Sequence, residues 1–198
     1  MLGDRVKLAI ACLALIGGVA ALWPEPRIRT PEGELAPRSP RQEPLTGPAW
    51  SLHGYQLEPR ARFDVEARVL SVEHYRWDAG ARLAPVDLAL GWGPMSDNRL
   101  VGRFRITQGS RFYTLYPEDP SIDVGQALLH SANMHLIPAT AGVRRILESV
   151  RAGHLVRLEG ILVDVSRSDG FEWRTSLRRD DTGAGACELF WVASAHVL

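Results

Sequence analysis

Residues 154–179 read HLVRLEGILVDVSRSDGFEWRTSLRR. Apolar residues alternate with polar ones from Leu155 to Val165, Ser168-Asp169-Gly170 supplies a turn, and Trp173, Thr175 and Leu177 return on alternate positions. A period of two marks a strand with one buried face, so the stretch predicts a β-hairpin. Gly160 interrupts the long first leg, the kind of place where a strand bends round a barrel corner. The pattern has the look of an OB-fold or SH3-like strand pair.

The same alternation extends outward in both directions. In ARFDVEARVLSVEHY, residues 61–75, Phe63, Val65, Ala67, Val69 and Ser71 fall on one face. RLVGRFRITQ repeats the pattern with Val101, Phe104 and Ile106, SRFYTLY follows a Gly-Ser turn, and CELFWVASAHV supplies a closing strand. One helix stands out: Val143, Ile146, Leu147 and Val150 recur at helical spacing in TAGVRRILESVRAG, with Gly153 placed to end it. A shorter helical turn is expected in SIDVGQALLHS, with Ser121 as N-cap. These elements predict an α+β class: a small β-rich domain over residues 49–198, read as an OB-like, partly open barrel with one or two inserted helices.

Two segments precede that domain. Leu8 to Trp23, LAIACLALIGGVAALW, is an uncharged apolar run behind Arg5 and Lys7. It reads as a membrane helix spanning residues 1–23, with Trp23 at the interfacial belt, or as a cleaved signal peptide cut near Val19-Ala20-Ala21. The anchor is the favoured reading, and either one exports the remainder. Residues 24–48 hold seven of the 13 prolines and few large apolar side chains, which predicts an extended spacer. The expected location is therefore the cytoplasmic membrane, single-pass, with a periplasmic carboxy-terminal domain.

Charge narrows the partners. Lys and Arg number 23 against 23 Asp and Glu, with no basic stripe interleaved with aromatics, so nucleic acid is not an expected partner. Cys12 lies in the apolar run and Cys187 is alone in the exported part, so no disulfide is expected there.

HSANMHLIPA (130–139), LAPVDLALGWGPMSD (83–97) and RRDDTGAGACELFWV (178–192) resemble a family of conserved bacterial proteins with an amino-terminal membrane segment. The resemblance runs from about Tyr55 to the end. It implies an exported, anchored domain and brings no activity with it.

Four constellations carry candidate chemistry. His130 and His135 on one continuous helix would point roughly 140° apart and could not share a metal. His53, His74 and His154 stand at no ligand spacing either, so no metal site and no cofactor are expected. A helix should end within this stretch, and at most one of the pair should face the GWG loop or Cys187. Cys187 with His130 or His135, and Asn133 to orient the base, makes a chemically sensible thiol set; the competing reading is a small buried residue at the start of a strand. Trp92 on its glycine-rich loop, with Met95 and Ser96, reads as a stacking platform or as a plug for the barrel end. Arg178 and Asp181 flank a turn at Asp181-Thr182-Gly183, which lacks the second such tripeptide that an aspartic protease needs.

The sequence thus favours a membrane-anchored, extracytoplasmic binding or assembly module over an enzyme, with a protein or small-molecule ligand. The alternative is a thiol hydrolase or transferase using Cys187.

Overall fold

A computed structural model describes residues 28, 30–181 and 186–198. The expected membrane segment, Cys12, and Thr182 and Gly183 of the expected turn lie outside the described residues. Among the described residues, no helix is long and apolar enough to cross a membrane.

The described chain is strand-rich, with a mostly antiparallel main sheet and few helices. Its strands are β1 (Arg41–Pro44), β2 (Trp50–Leu52), β3 (Tyr55–His74), β4 (Val86–Gly91), β5 (Phe104–Gly109), β6 (Phe112–Pro117), β7 (Ser131–Pro138), β8 (Leu155–Ser166), β9 (Glu172–Trp173) and β10 (Glu188–Val197). Helices α1 (Asn98–Val101), α2 (Val124–Leu129) and α3 (Ala141–Ser149) complete it.

Period-two burial explains why β3 forms and what it does. Tyr55, Leu57, Ala61, Phe63, Val65, Ala67 and Val69 are buried, while residues 56, 58, 60, 62 and 64 between them are exposed. The strand is long enough to pair β8 along Gln56–Arg68 and β4 along Arg68–His74. Since β4 pairs β7, β7 runs parallel to β10 and β10 pairs β8, the pairings close into a ring of five strands. Inside it lie Phe63, Val65, Val69, Leu88, Leu90, Met134, Leu136, Leu158 and Phe190, with Phe63 and Phe190 edge-on at 5.2 Å. Burying each such side chain contributes about 1.5–3 kcal/mol.

Bulges shape the ring. β3 shifts register between Val69 and Ser71, and Leu70 turns toward a second core, formed with Ala89, Met95, Phe104 and Leu115. β10 shifts between Val192 and Ser194, opposite Gly160, where a Cβ would collide with the Trp191 carbonyl oxygen. Gly160 is therefore required by close backbone approach, a different reason from the barrel-corner bend that its place in the sequence suggested.

Helix α3 closes one end, sending Val143, Leu147 and Ile146 into the main core. Thr140 caps it, its side chain accepting from Val143 N. The helix ends at Ser149, and Gly153 takes φ 97° in the turn that leads into β8. In α2 the cap is Asp123 rather than Ser121: its Oδ1 accepts from Gln126 N at 3.1 Å.

Several expectations need correction. The glycine-rich loop that carries Trp92 is shorter than expected, because Val86–Gly91 just before it is a fully buried strand. In HSANMHLIPA the helix ends at the first residue: α2 stops at Leu129, His130 caps it, and Ser131–Pro138 is strand β7. RLVGRFRITQ begins as helix α1, and the return leg of the opening hairpin is only Glu172–Trp173. The proline-rich stretch is not a free spacer from Thr30 onward. Asn98 Nδ2 donates to the Thr30 and Pro31 carbonyls, Ala36 is 1% exposed, and β1 pairs β3.

Candidate functional site

Residues 92–130 form an insertion between β4 and β7, and its hairpin β5–β6 lies beside the outer face of those two ring strands. That cover decides the chemistry. On the outer face, Asp87 stands opposite His135, Ala89 opposite Asn133, and Gly91 opposite Ser131. Asp87, Asn133 and His135 are all buried, and buried polar groups at such positions must find partners.

The partner is Arg111, at the tip of the β5–β6 hairpin. Its Nη1 donates to Asp87 Oδ1 at 2.7 Å and to the Ala84 carbonyl at 2.9 Å, while Nε and Nη2 donate to Asp78 at 2.9 and 2.8 Å. The guanidinium lies 3.7 Å from the Tyr75 ring centroid and 5.4 Å from that of Trp173. His135 Nδ1 donates to Asp87 Oδ2 at 2.8 Å, and its ring sits 4.5 Å from Trp173. A planar fork with several donors can bridge two carboxylates and stack on aromatics at once; a lysine could not.

The turn that presents Arg111 is strained. Ser110 and Arg111 have φ of 51° and 68°, the doubly left-handed turn for which Asn-Gly is the usual choice. A non-glycine residue there costs about 1–2 kcal/mol. Bonds on both sides of the peptide hold it: Arg111 N donates to Tyr75 Oη at 2.8 Å, and its carbonyl accepts from Asn133 Nδ2 at 2.9 Å. Strain held in place by surrounding contacts is characteristic of binding and catalytic positions.

Electrostatics follow from this packing. Burial works against ionising Asp78, yet the Arg111 hydrogen bonds and charge outweigh it and hold the carboxyl below its ordinary range. Burial raises the Tyr75 hydroxyl. Beside this network a groove of ≈ 580 Å³ opens, walled by Phe112, Phe171 and Trp173; Arg111, His135 and Asp78 line it together with Ser110, Glu172, Arg174 and Cys187. Gly80 abuts Trp173 so closely that a Cβ would lie 2.7 Å from the indole ring.

Cys187 and Asn133 come together, while the two histidines separate. Asn133 Nδ2 lies 3.7 Å from Cys187 Sγ, and the thiol donates to the Arg111 carbonyl at 3.6 Å. Burial pushes the thiol up to about 11, so it is protonated at neutral pH. His135 lines the same groove as Cys187 but is engaged with Asp87. His130 faces the GWG loop: its Nδ1 contacts the Gln126 carbonyl at 2.8 Å, and its ring packs on Gly93. Trp92, Met95 and Ser96 are at most 2% exposed and belong to the interior, away from the groove. Arg178 pairs with Asp180, and Asp181 Oδ2 accepts from Ser176 Oγ at 2.6 Å. Both line a second cavity next to the groove. Among the described residues, no group of three or more His, Cys, Asp or Glu side chains is placed to hold a metal.

Sequence reasoning missed Arg111, Asp87 and Trp173 as site residues. The available signals were a lone acid inside the apolar run VDLAL and an arginine in a two-residue hairpin turn. Comparison with protein-family models, with curated proteins and with solved structures finds no match, so the functional reading rests on this geometry.

Proposed function

We propose that this chain is a binding module, held outside the cytoplasmic membrane by its amino-terminal apolar segment, that takes its ligand in the groove beside Arg111. Supporting the fold half of this reading, the ring order β3-β4-β7-β10-β8, its parallel β7–β10 pair and the helix between β7 and β8 follow the OB-type plan. Barrels of that plan take ligands on the face of their second and third strands, flanked by the loops after the first and fourth. By analogy of fold, the corresponding parts here carry Asp87 and His135, Asp78, and Phe171 with Trp173.

The observation that carries the proposal is Arg111, fixed by two carboxylates in a strained turn and set among aromatic walls. Aromatic faces give a ligand stacking area, and a few fixed polar atoms orient it. The balanced charge favours a small molecule or a protein segment over nucleic acid. The competing thiol chemistry needs a base within hydrogen-bond reach of Cys187. Among the described residues, the thiol's hydrogen-bond partners are instead a carbonyl and an amide, which favours binding.

The test is binding of indole, phenol, benzylamine and benzoate to the full chain and to Trp173→Ala. At least one fragment should bind the wild type and be weakened in the variant, while Cys187→Ser binds as the wild type does. Fragments that bind both proteins equally would remove the groove from the account. A fusion of alkaline phosphatase after Leu198 should be active in cells, and an inactive fusion would contradict the periplasmic placement.

A further inference from the structure

The second cavity, ≈ 330 Å³, shares Phe112 and Cys187 with the groove and lies at the lower end of the size range of small-molecule sites. Leu115, Val124, Leu128 and Ala132 give it apolar walls, and Glu188 lines it at 1% exposure. Oε1 of Glu188 accepts from Arg179 Nη1, but Oε2 is buried with no hydrogen-bond partner among the described residues. A buried carboxylate oxygen left unmatched costs free energy, and a ligand donor would recover it.

The charge of the remaining wall selects the donor. The two cations of the wall are committed, Arg178 to Asp180 and Arg179 to Glu188 and Gln42. Among the described residues, Asp181 accepts from a neutral hydroxyl, that of Ser176. Of the charged residues that line the cavity, Arg178, Arg179, Asp181 and Glu188, both cations are engaged by carboxylates, and Asp181 has no cation partner among the described residues. Tyr113 adds a hydroxyl bonded to Ser131 Oγ at 3.0 Å.

The geometry points to this cavity as the subsite for the ammonium group of a small organic amine, whose apolar body packs under the β5–β6 hairpin and reaches past Phe112 into the groove. The inference rests on the groove being the ligand site and adds the chemical class of the ligand. Glu188 Oε2 and Asp181 accept from the ammonium, while Leu115, Val124 and Leu128 cover the chain that carries it.

Three matched probes test this: 2-phenylethylamine, 2-phenylethanol and 3-phenylpropanoate, titrated calorimetrically into the full-length wild type, Glu188→Gln, Asp181→Asn and Trp173→Ala. The wild type should bind the amine at least about tenfold more tightly than the alcohol, the difference expected of a charge-assisted hydrogen bond, and should bind the carboxylate least. Glu188→Gln should bring amine and alcohol close together. Asp181→Asn should narrow the gap too, and it reports on the site independently should Glu188→Gln not fold. Trp173→Ala should weaken amine and alcohol in parallel. Equal binding of amine and alcohol to the wild type, or no amine binding, would overturn the amine subsite. An amine preference lost in Glu188→Gln, with the affinities for amine and alcohol both unchanged in Trp173→Ala, would keep the subsite and sink the groove.

Discussion

Glu188→Gln also has a consequence for folding that can be worked out in advance. Burial raises this carboxyl from 4.5 to about 7, opposed by Arg179 and reinforced by Asp181. The charged and titratable groups around it are Arg179, Asp181, Tyr113 and Cys187. Because the folded-state value is the higher one, the native state holds its proton more tightly than the unfolded chain. Stability from this group is thus fully present below about pH 4.5 and falls as the pH rises to about 7, above which the loss is complete. At 1.36 kcal/mol per unit, the interval amounts to about 3 kcal/mol. Glutamine does not titrate, so the variant should gain about 3 kcal/mol relative to the wild type between pH 4 and pH 8. Urea denaturation of both proteins across that range reads this directly, as a change of about 1–3 M in the difference of midpoints. Taking the difference cancels the acids held low in the native state, such as Asp78, which act with the opposite sign. A difference that stays flat from pH 4 to pH 8 would refute the reasoning, because Glu188 would then be neither desolvated nor short of a partner.

The Arg111 network makes further predictions. Arg111→Ala strips Asp87 of its cation at a site where the carboxylate is fully buried, and should cost about 3–5 kcal/mol in denaturant unfolding. Arg111→Lys should recover only part of that, since one ammonium cannot bridge Asp78 and Asp87. Ser110→Gly relieves the left-handed backbone at φ 51° and should raise stability by up to about 1 kcal/mol, read as a higher melting temperature. Iodoacetamide labelling of Cys187 should be slow at pH 7 and climb with pH toward a midpoint near 11. A midpoint close to 7 would restore the thiol as a nucleophile.

Where one face of a strand meets solvent, the sequence was readable. β3 alternates buried with exposed residues through most of its length, and α3 shows its apolar stripe at helical spacing. β4 and β7 were not readable as strands, because the inserted hairpin covers their outer face and removes the alternation: every residue of VDLALG is buried, and nearly all of SANMHLIP. With β7 unrecognised, His130 and His135 could be compared only by helical angles. His130 in fact caps α2, while His135 stands on a strand beside Asp87, and that separates them. Trp92 was equivocal for a related reason. A tryptophan between glycines looks like an exposed platform, but the ring around it is deep enough to take it into the core. Arg111 was hidden because its role depends on Asp78 and Asp87, which only the fold brings to it.

Ligands held at Trp173 and Arg111, and not at the glycine-flanked Trp92, perturb one indole and leave the other alone. The indole N–H signals of the six tryptophans resolve this in a two-dimensional NMR titration of the full chain with 2-phenylethylamine. The Trp173 signal, assigned by its loss in Trp173→Phe, should move with ligand while that of Trp92 stays fixed. A titration in which Trp92 moves and Trp173 does not would contradict it.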